Sequence, residues 1–147
     1  MDLMLDVNVV IDHIGRREPF YELSRRVCLL GILGEARTYI TTNMATDLYY
    51  LLRKDYGSAE AQRMIEEDLS FLTMVSVDPQ DVGDALALRW NDFEDCLVAQ
   101  CAHKAGADYI ITRNVRDFAR SSVKALTPEQ LFQELEARGF VYEEIDW

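Results

Sequence analysis

WNDFEDCLVAQCAHKAGADYIITRNVRD, residues 90–117, is the stretch whose reading decides the fold. Three acids, Asp92, Glu94 and Asp95, stand just ahead of an apolar run. Leu97, Val98, Cys101, Ala102 and Ala105 then recur at helical spacing until Gly106 stops them. Tyr109-Ile110-Ile111 follows with the short apolar pattern of a buried strand, and Thr112-Arg113-Asn114 ends it on polar residues. A helix that opens on carboxylates is thus followed by a strand with another carboxylate, Asp117, just past its end. Open α/β sheets place their sites at the carboxyl ends of strands. Taken alone, the acids have a plain structural reading. Asp92 suits a helix N-cap, and Glu94 and Asp95 are favoured by the positive end of the helix dipole. The rest of the chain shifts that balance.

Working backward, Leu3-Met4-Leu5 is a short apolar run that ends on Asp6-Val7-Asn8. Val9 to Ile14 continue as a helical turn closed by Gly15. Pro19 suits a first helical position, and Phe20, Leu23, Val27 and Leu30 mark the buried stripe of a helix reaching about Gly34. Thr38–Thr41 is a β-branched strand, with Thr42 and Asn43 as caps for a helix whose first turn holds Asp47. Gly57-Ser58 separates this helix from the next, where Glu66, Glu67 and Asp68 form a solvated face. Phe71–Val77 is a third strand, and Asp78, Pro79 and Asp81 are structural starters of the helix that runs through Leu88.

Beyond the central stretch, Val123–Leu126 is a short last strand. Thr127-Pro128-Glu129-Gln130 is a capping box that launches a helix ended by Gly139. The segment from about 140 to 147 is expected to be a surface strand or an extended acidic arm. No repeat, linker or second domain interrupts residues 1–147. Strands alternating with helices predict a single three-layer α/β domain with a parallel sheet of four or five strands. In that frame Asp6, Asp47, Asp95 and Asp117 all fall at one edge of the sheet. Crowded like charges are costly, because each carboxylate raises the other's pKa. A hard divalent cation, Mg²⁺ or Mn²⁺, relieves that cost.

Composition narrows the partners. With 147 residues, 49% hydrophobic and 28% charged, the chain suits one soluble domain. It shows no apolar run of membrane-spanning length and no basic flank of a signal peptide, and Cys28, Cys96 and Cys101 lack metal-ligand spacing. They read as core residues of a protein in the reducing cytoplasm. The net charge of −11 speaks against a nucleic-acid partner. That charge is uneven, though. Residues 129–147 hold six acids against Arg138 alone, while Arg113, Arg116, Arg120 and Lys124 cluster after the Tyr109–Ile111 strand. Arg113 and Arg116 are accordingly candidates for nucleic-acid backbone contacts, though surface arginines of this kind are more often only solvated.

LDVNVVID, TNMATDLYYLL and DFEDCLVAQCAHKAGADYIITRNVRDF resemble, nearly end to end, the PIN-domain family of metal-dependent ribonucleases, and within it the VapC-type toxins of toxin–antitoxin pairs. The resemblance implies that Asp6, Asp47, Asp95 and Asp117 take the family's four acidic positions, with Asp6, Asp95 and Asp117 holding the metal. It implies Asn8, Thr112 and Asn114 as polar contacts to substrate, RNA as the substrate, and an antitoxin and a second copy as partners. Two positions depart from the pattern: Asp47 stands where the family usually has the longer glutamate, and Asn114 is neutral where some members place the acid. A catalytically silent PIN-like binding module therefore stays open beside the nuclease. Two other acid-bearing α/β folds fit less well. A phosphoacceptor receiver would need a phosphorylatable aspartate ending a middle strand, where Asp78-Pro79 reads as a cap. An aspartate-nucleophile phosphatase would need an aspartate at the place of Asn8.

Overall fold

The computed structural model describes residues 1–142, so the expectation of an arm at about 140–147 falls largely outside the described residues. Five strands, β1 (Asp2–Leu5), β2 (Arg37–Thr41), β3 (Leu72–Val75), β4 (Tyr109–Ile111) and β5 (Lys124–Leu126), form one sheet in the order β3-β2-β1-β4-β5. All four pairings are parallel. Seven helices connect and flank them: α1 (Val7–Ile14), α2 (Tyr21–Ile32), α3 (Met44–Tyr56), α4 (Ser58–Asp68), α5 (Pro79–Leu88), α6 (Phe93–Ala105) and α7 (Pro128–Ala137).

The first strand is central because it is covered on both faces. Leu3, Met4 and Leu5 are all fully buried, an unbroken apolar run of the kind parallel strands require. One side of the sheet carries α1, which packs on α2 and α3; α3 in turn packs on α4. On the other, α6 lies against β1, β2 and β4 and is itself covered by α5. This sandwiching explains why α6 is buried over so much of its circumference, at Cys96, Leu97, Val98, Ala99, Cys101 and Ala102. The three cysteines are buried and unpaired, as core residues are.

Strand order reverses at β1. The chain runs from β1 outward through β2 to β3, then returns to place β4 on the other side of β1. Helices leaving adjacent strands in opposite directions open a crevice at such a switch point, where ligands of α/β sheets bind. Here it lies at the carboxyl ends of β1 and β4, where Asp6 N–H still donates to the Ile111 carbonyl at 2.9 Å.

Local departures from the sequence reading have local causes. The capping box at Thr127/Gln130 and the cap at Asp78 form as expected, Asp81 completing a second box at Asp78, and each has proline behind the cap. Pro19, by contrast, sits in a turn with a cis Glu18–Pro19 bond, and α2 starts at Tyr21. Phe20, expected in the buried stripe, is 41% exposed because it precedes the helix. Asn43 occupies the cap position of α3 but makes no side-chain cap bond, and Thr42 Oγ1 instead accepts from Val77 N–H at 3.2 Å. The third strand is trimmed to Leu72–Val75, the part that pairs with β2.

Candidate metal-dependent active site

Asp6 is the fixed point of the crevice. It ends β1 in extended conformation and caps α1, accepting a hydrogen bond from Val7 N–H to Oδ1 at 2.8 Å. Its Oδ2 accepts from Asn8 Nδ2 at 2.8 Å and from Thr112 Oγ1 at 2.7 Å. A carboxylate offers about four lone-pair directions, so Oδ1 keeps room for one further partner. Only 5% of Asp6 is exposed. Burial pushes its pKa up, the three hydrogen bonds pull it down, and the charge of Asp117 pushes it up again.

Thr112 and Asn8 are both spent on this arrangement. Thr112 is fully buried; its hydroxyl donates to Asp6 and accepts from Asn114 N–H at 3.0 Å and Asn8 Nδ2 at 3.3 Å. Asn8 Oδ1 accepts from Arg113 N–H at 3.2 Å. These two side chains face Asp6 rather than solvent, whereas Asn114 is exposed at the rim. Of the three expected substrate contacts, Asn114 is therefore the one whose side chain is open to a ligand.

Asp95 sits in the first turn of α6. Asp92, the N-cap, accepts from Asp95 N–H at 3.1 Å, so the plain capping reading holds for Asp92. The Asp95 carboxyl is pushed up to about 7, first by burial and then by the charges of Asp6, Asp92 and Asp117. Asp117 lies in a 3-10 turn, Val115–Phe118, that buried Phe118 pins to the core against Trp90, with ring centroids 6.5 Å apart. Mutual repulsion therefore links Asp6, Asp95 and Asp117, which arrive from three separate elements.

Asp47, in the first turn of α3, meets a partner the sequence reading did not assign to the site. Glu94 lies beside Asp47, and its carboxyl is raised to about 7 by burial first, then by Asp47, Asp92 and Asp6. The available signal was the short side chain of Asp47. A carboxylate one methylene shorter than the family's usual residue invites a second acid nearby, and Glu94, next to Asp95, is the one that lies beside it. Glu94 remains exposed, so it faces the open side of the crevice.

Arg113 is exposed, as expected of a surface arginine, and in addition has its Nε 2.9 Å from Asp12 Oδ2 and its guanidinium 4.2 Å from the centre of the Phe20 ring. Arg116 is exposed.

The donors are carboxylate oxygens without thiolate or imidazole among them, the chemistry of hard cations. Among the described residues no group of three or more His, Cys, Asp or Glu side chains stands close enough together to hold a metal ion as the side chains lie. The set fits an ion that keeps several waters and takes few protein ligands, as Mg²⁺ does.

A central first strand, parallel neighbours and an acidic crevice at the switch point define an α/β domain of the acid-site class. The chain belongs to the PIN domain family, whose model matches residues 2–116. No match is found among curated proteins. Solved structures share the fold. VapBC-1 from nontypeable Haemophilus influenzae is 21% identical with a TM-score of 0.66, covering 88% of this chain and 99% of that one. DNA-bound VapBC from Salmonella typhimurium is 22% identical with a TM-score of 0.65, covering 87% and 98%. Mycobacterium tuberculosis VapC20, described as a sarcin-ricin loop cleaving toxin, is 12% identical with a TM-score of 0.60, covering 74% and 86%.

Proposed function

We propose that the chain is a Mg²⁺- or Mn²⁺-dependent endoribonuclease and the toxin of a toxin–antitoxin pair. The observation that carries this reading is the convergence of Asp6, Asp95 and Asp117 at the switch-point crevice, where burial and mutual repulsion hold Asp95 up to about 7. Acids so placed act as ligands for a cation. Asp6, held by three hydrogen bonds, is the preorganised ligand, with Asp95 and Asp117 completing the set. A bound divalent ion would supply charge neutralisation at the phosphate and a more acidic water. Asp47 and Glu94 side by side are suited to orient the attacking water, with Glu94, raised to about 7 by burial and its acidic neighbours, suited to accept its proton. Asn114, exposed beside Thr112, is suited to donate to a phosphate oxygen. Glu94 also bears on the silent-module reading: it adds a second carboxylate beside Asp47.

The partner assignments rest on family membership and on the neighbours, several of which are VapBC complexes. An acidic crevice invites an arginine or lysine from an inhibitory antitoxin. Exposed Tyr50, Met74, Leu86 and Leu88 are apolar surface of the kind a second copy would cover. No helix among the described residues is long and apolar enough to cross a membrane.

The test is incubation of the purified chain with structured and unstructured RNAs, with Mg²⁺ or Mn²⁺ and with chelator. Cleavage that chelation abolishes is the expected result. A chain inert towards every RNA, monomeric and harmless on expression, would mark it as the binding module instead.

A further inference from the structure

Asp12 is fully buried on α1 and its carboxylate oxygens receive no hydrogen bond among the described residues. An uncompensated buried carboxylate is strongly unfavourable, so what faces it matters. Arg113 does, from the end of β4, with Nε 2.9 Å from Oδ2; the contact is an ion pair rather than a well-directed hydrogen bond. Arg17 adds a second, weaker positive influence. Burial pushes the Asp12 carboxyl up, while Arg113 and then Arg17 pull it down. The guanidinium carbon also sits 4.2 Å from the centre of the Phe20 ring, a cation–π contact that adds a second hold on the side chain.

The same residue is gripped at a second point. Arg113 N–H donates to Asn8 Oδ1, and Asn8 stands one helical turn before Asp12, on the same face of α1. Backbone and side chain of Arg113 are thus both fastened to one helix. That fixes the direction in which the chain leaves β4, and the residues it leads to are Asn114 and the turn bearing Asp117. We propose that Asp12 and Arg113 form a clamp that positions the β4 exit segment, so that Asp12, one helical turn from Asn8, is a positioning residue for divalent-cation binding. Arg113 is committed to Asp12 and not to RNA phosphate. This inference rests on the metal-site reading above.

The experiment uses the full chain and the variants Asp12→Asn, Arg113→Gln, their double mutant, Arg113→Lys and Asp6→Asn. Mn²⁺ affinity is measured by titration calorimetry without RNA, alongside the metal-free thermal midpoint and RNA binding across a salt series. Each single clamp variant is expected to weaken Mn²⁺ about tenfold, with the double mutant no worse than the poorer single one. The salt slope of RNA binding is expected to stay unchanged; loss of a phosphate contact would lower it by about one. Arg113→Lys keeps a charge beside Asp12 but lacks the planar group over Phe20, and is expected to weaken Mn²⁺ about threefold. It answers the question even where Asp12→Asn does not fold. A changed salt slope with unchanged Mn²⁺ affinity would overturn the clamp and make Arg113 an RNA contact. Mn²⁺ binding lost in Asp6→Asn but intact in every clamp variant overturns the clamp alone. Binding absent in the wild type, or unaffected by Asp6→Asn, overturns the metal-site reading and the clamp with it.

Discussion

Both ends of the same sheet are rich in acids, yet the two ends treat them oppositely. At the amino ends of the strands every acid that matters has a partner. Asp2 accepts from Tyr39 Oη at 2.9 Å and pairs with Arg37 Nε at 2.8 Å, while Glu134 accepts from Tyr109 Oη at 2.8 Å and pairs with Lys124 and Arg138. Their carboxyls are held below their ordinary values: hydrogen bonds and positive charge outweigh burial at Asp2, and the bond from Lys124 leads at Glu134. At the carboxyl ends, Asp6, Glu94 and Asp95 are all pushed up, burial being the largest cause, with neighbouring acids adding to it. Arg113, at the exit of β4, pairs with Asp12 rather than with these acids. A fold that supplies counter-charges at one edge and withholds them at the other leaves the second edge fit for a cation it does not itself contain.

The contrast breaks most sharply at Asp95. Asp95→Asn removes one ligand and one repelling charge together. Metal-dependent RNA cleavage is expected to fall about a thousandfold, or about 4 kcal/mol of barrier, while the metal-free protein gains stability at neutral pH. The sign follows from linkage. Asp95 binds its proton more tightly folded, at about 7, than its ordinary value of 3.8, so its stabilisation is full below about pH 4 and is lost as pH rises through 7. The comparison must be a difference between the two proteins, since other groups titrate in the same range. His13, lowered to about 4 by burial and then by Arg25 and Arg16, stabilises above its ordinary 6.5 and loses that as pH falls through 4; Asp68, raised to about 7 by burial and then by Glu67, runs in Asp95's direction. Midpoints of wild type and Asp95→Asn measured from pH 4 to 8 without metal should diverge as pH rises. Parallel curves with full activity would return Asp95 to the status of a helix-start residue.

Glu94→Gln is expected to be milder, about tenfold in kcat/KM, or about 1.4 kcal/mol, because Asp6, Asp95 and Asp117 remain. The same variant should leave Mn²⁺ affinity within about threefold, separating a water-orienting pair from a principal ligand. Unchanged cleavage kinetics would make Glu94 a bystander. The smallest effect belongs to the other edge. Arg37 is largely exposed, so Arg37→Ala should lower the thermal midpoint by roughly a degree or two and leave cleavage unaltered. A large loss of activity there would show that the two edges are coupled, which the comparison denies.

Much of this was legible in the sequence because it is written in local chemistry. The apolar runs Leu3–Leu5 and Tyr109–Ile111, the stop at Gly106 and the caps at Asp78 and Thr127 each depend on neighbours within a few residues. Such signals survive without knowledge of the fold, and alternation of strand and helix then implies a parallel sheet. The four acids at strand exits and helix starts could be placed at one edge by that logic alone. What failed was equally physical. Phe20 reads as one more apolar residue at helical spacing, and nothing near it in the chain announces the guanidinium that covers it. Asn43 has the right residue type for a cap and makes no cap bond.

The sequence by itself determined the order of elements, the parallel sheet and the edge to which Asp6, Asp47, Asp95 and Asp117 belong, because backbone propensity and burial periodicity act over short spans. Only the tertiary structure decided which polar groups meet. Asp6 with Thr112 and Asn8, Glu94 with Asp47, and Arg113 with Asp12 join residues 47 to 106 positions apart, except for the near neighbour Asn8. Electrostatic and hydrogen-bond energies depend on distances through space, and those distances exist only once β1 and β4 lie side by side.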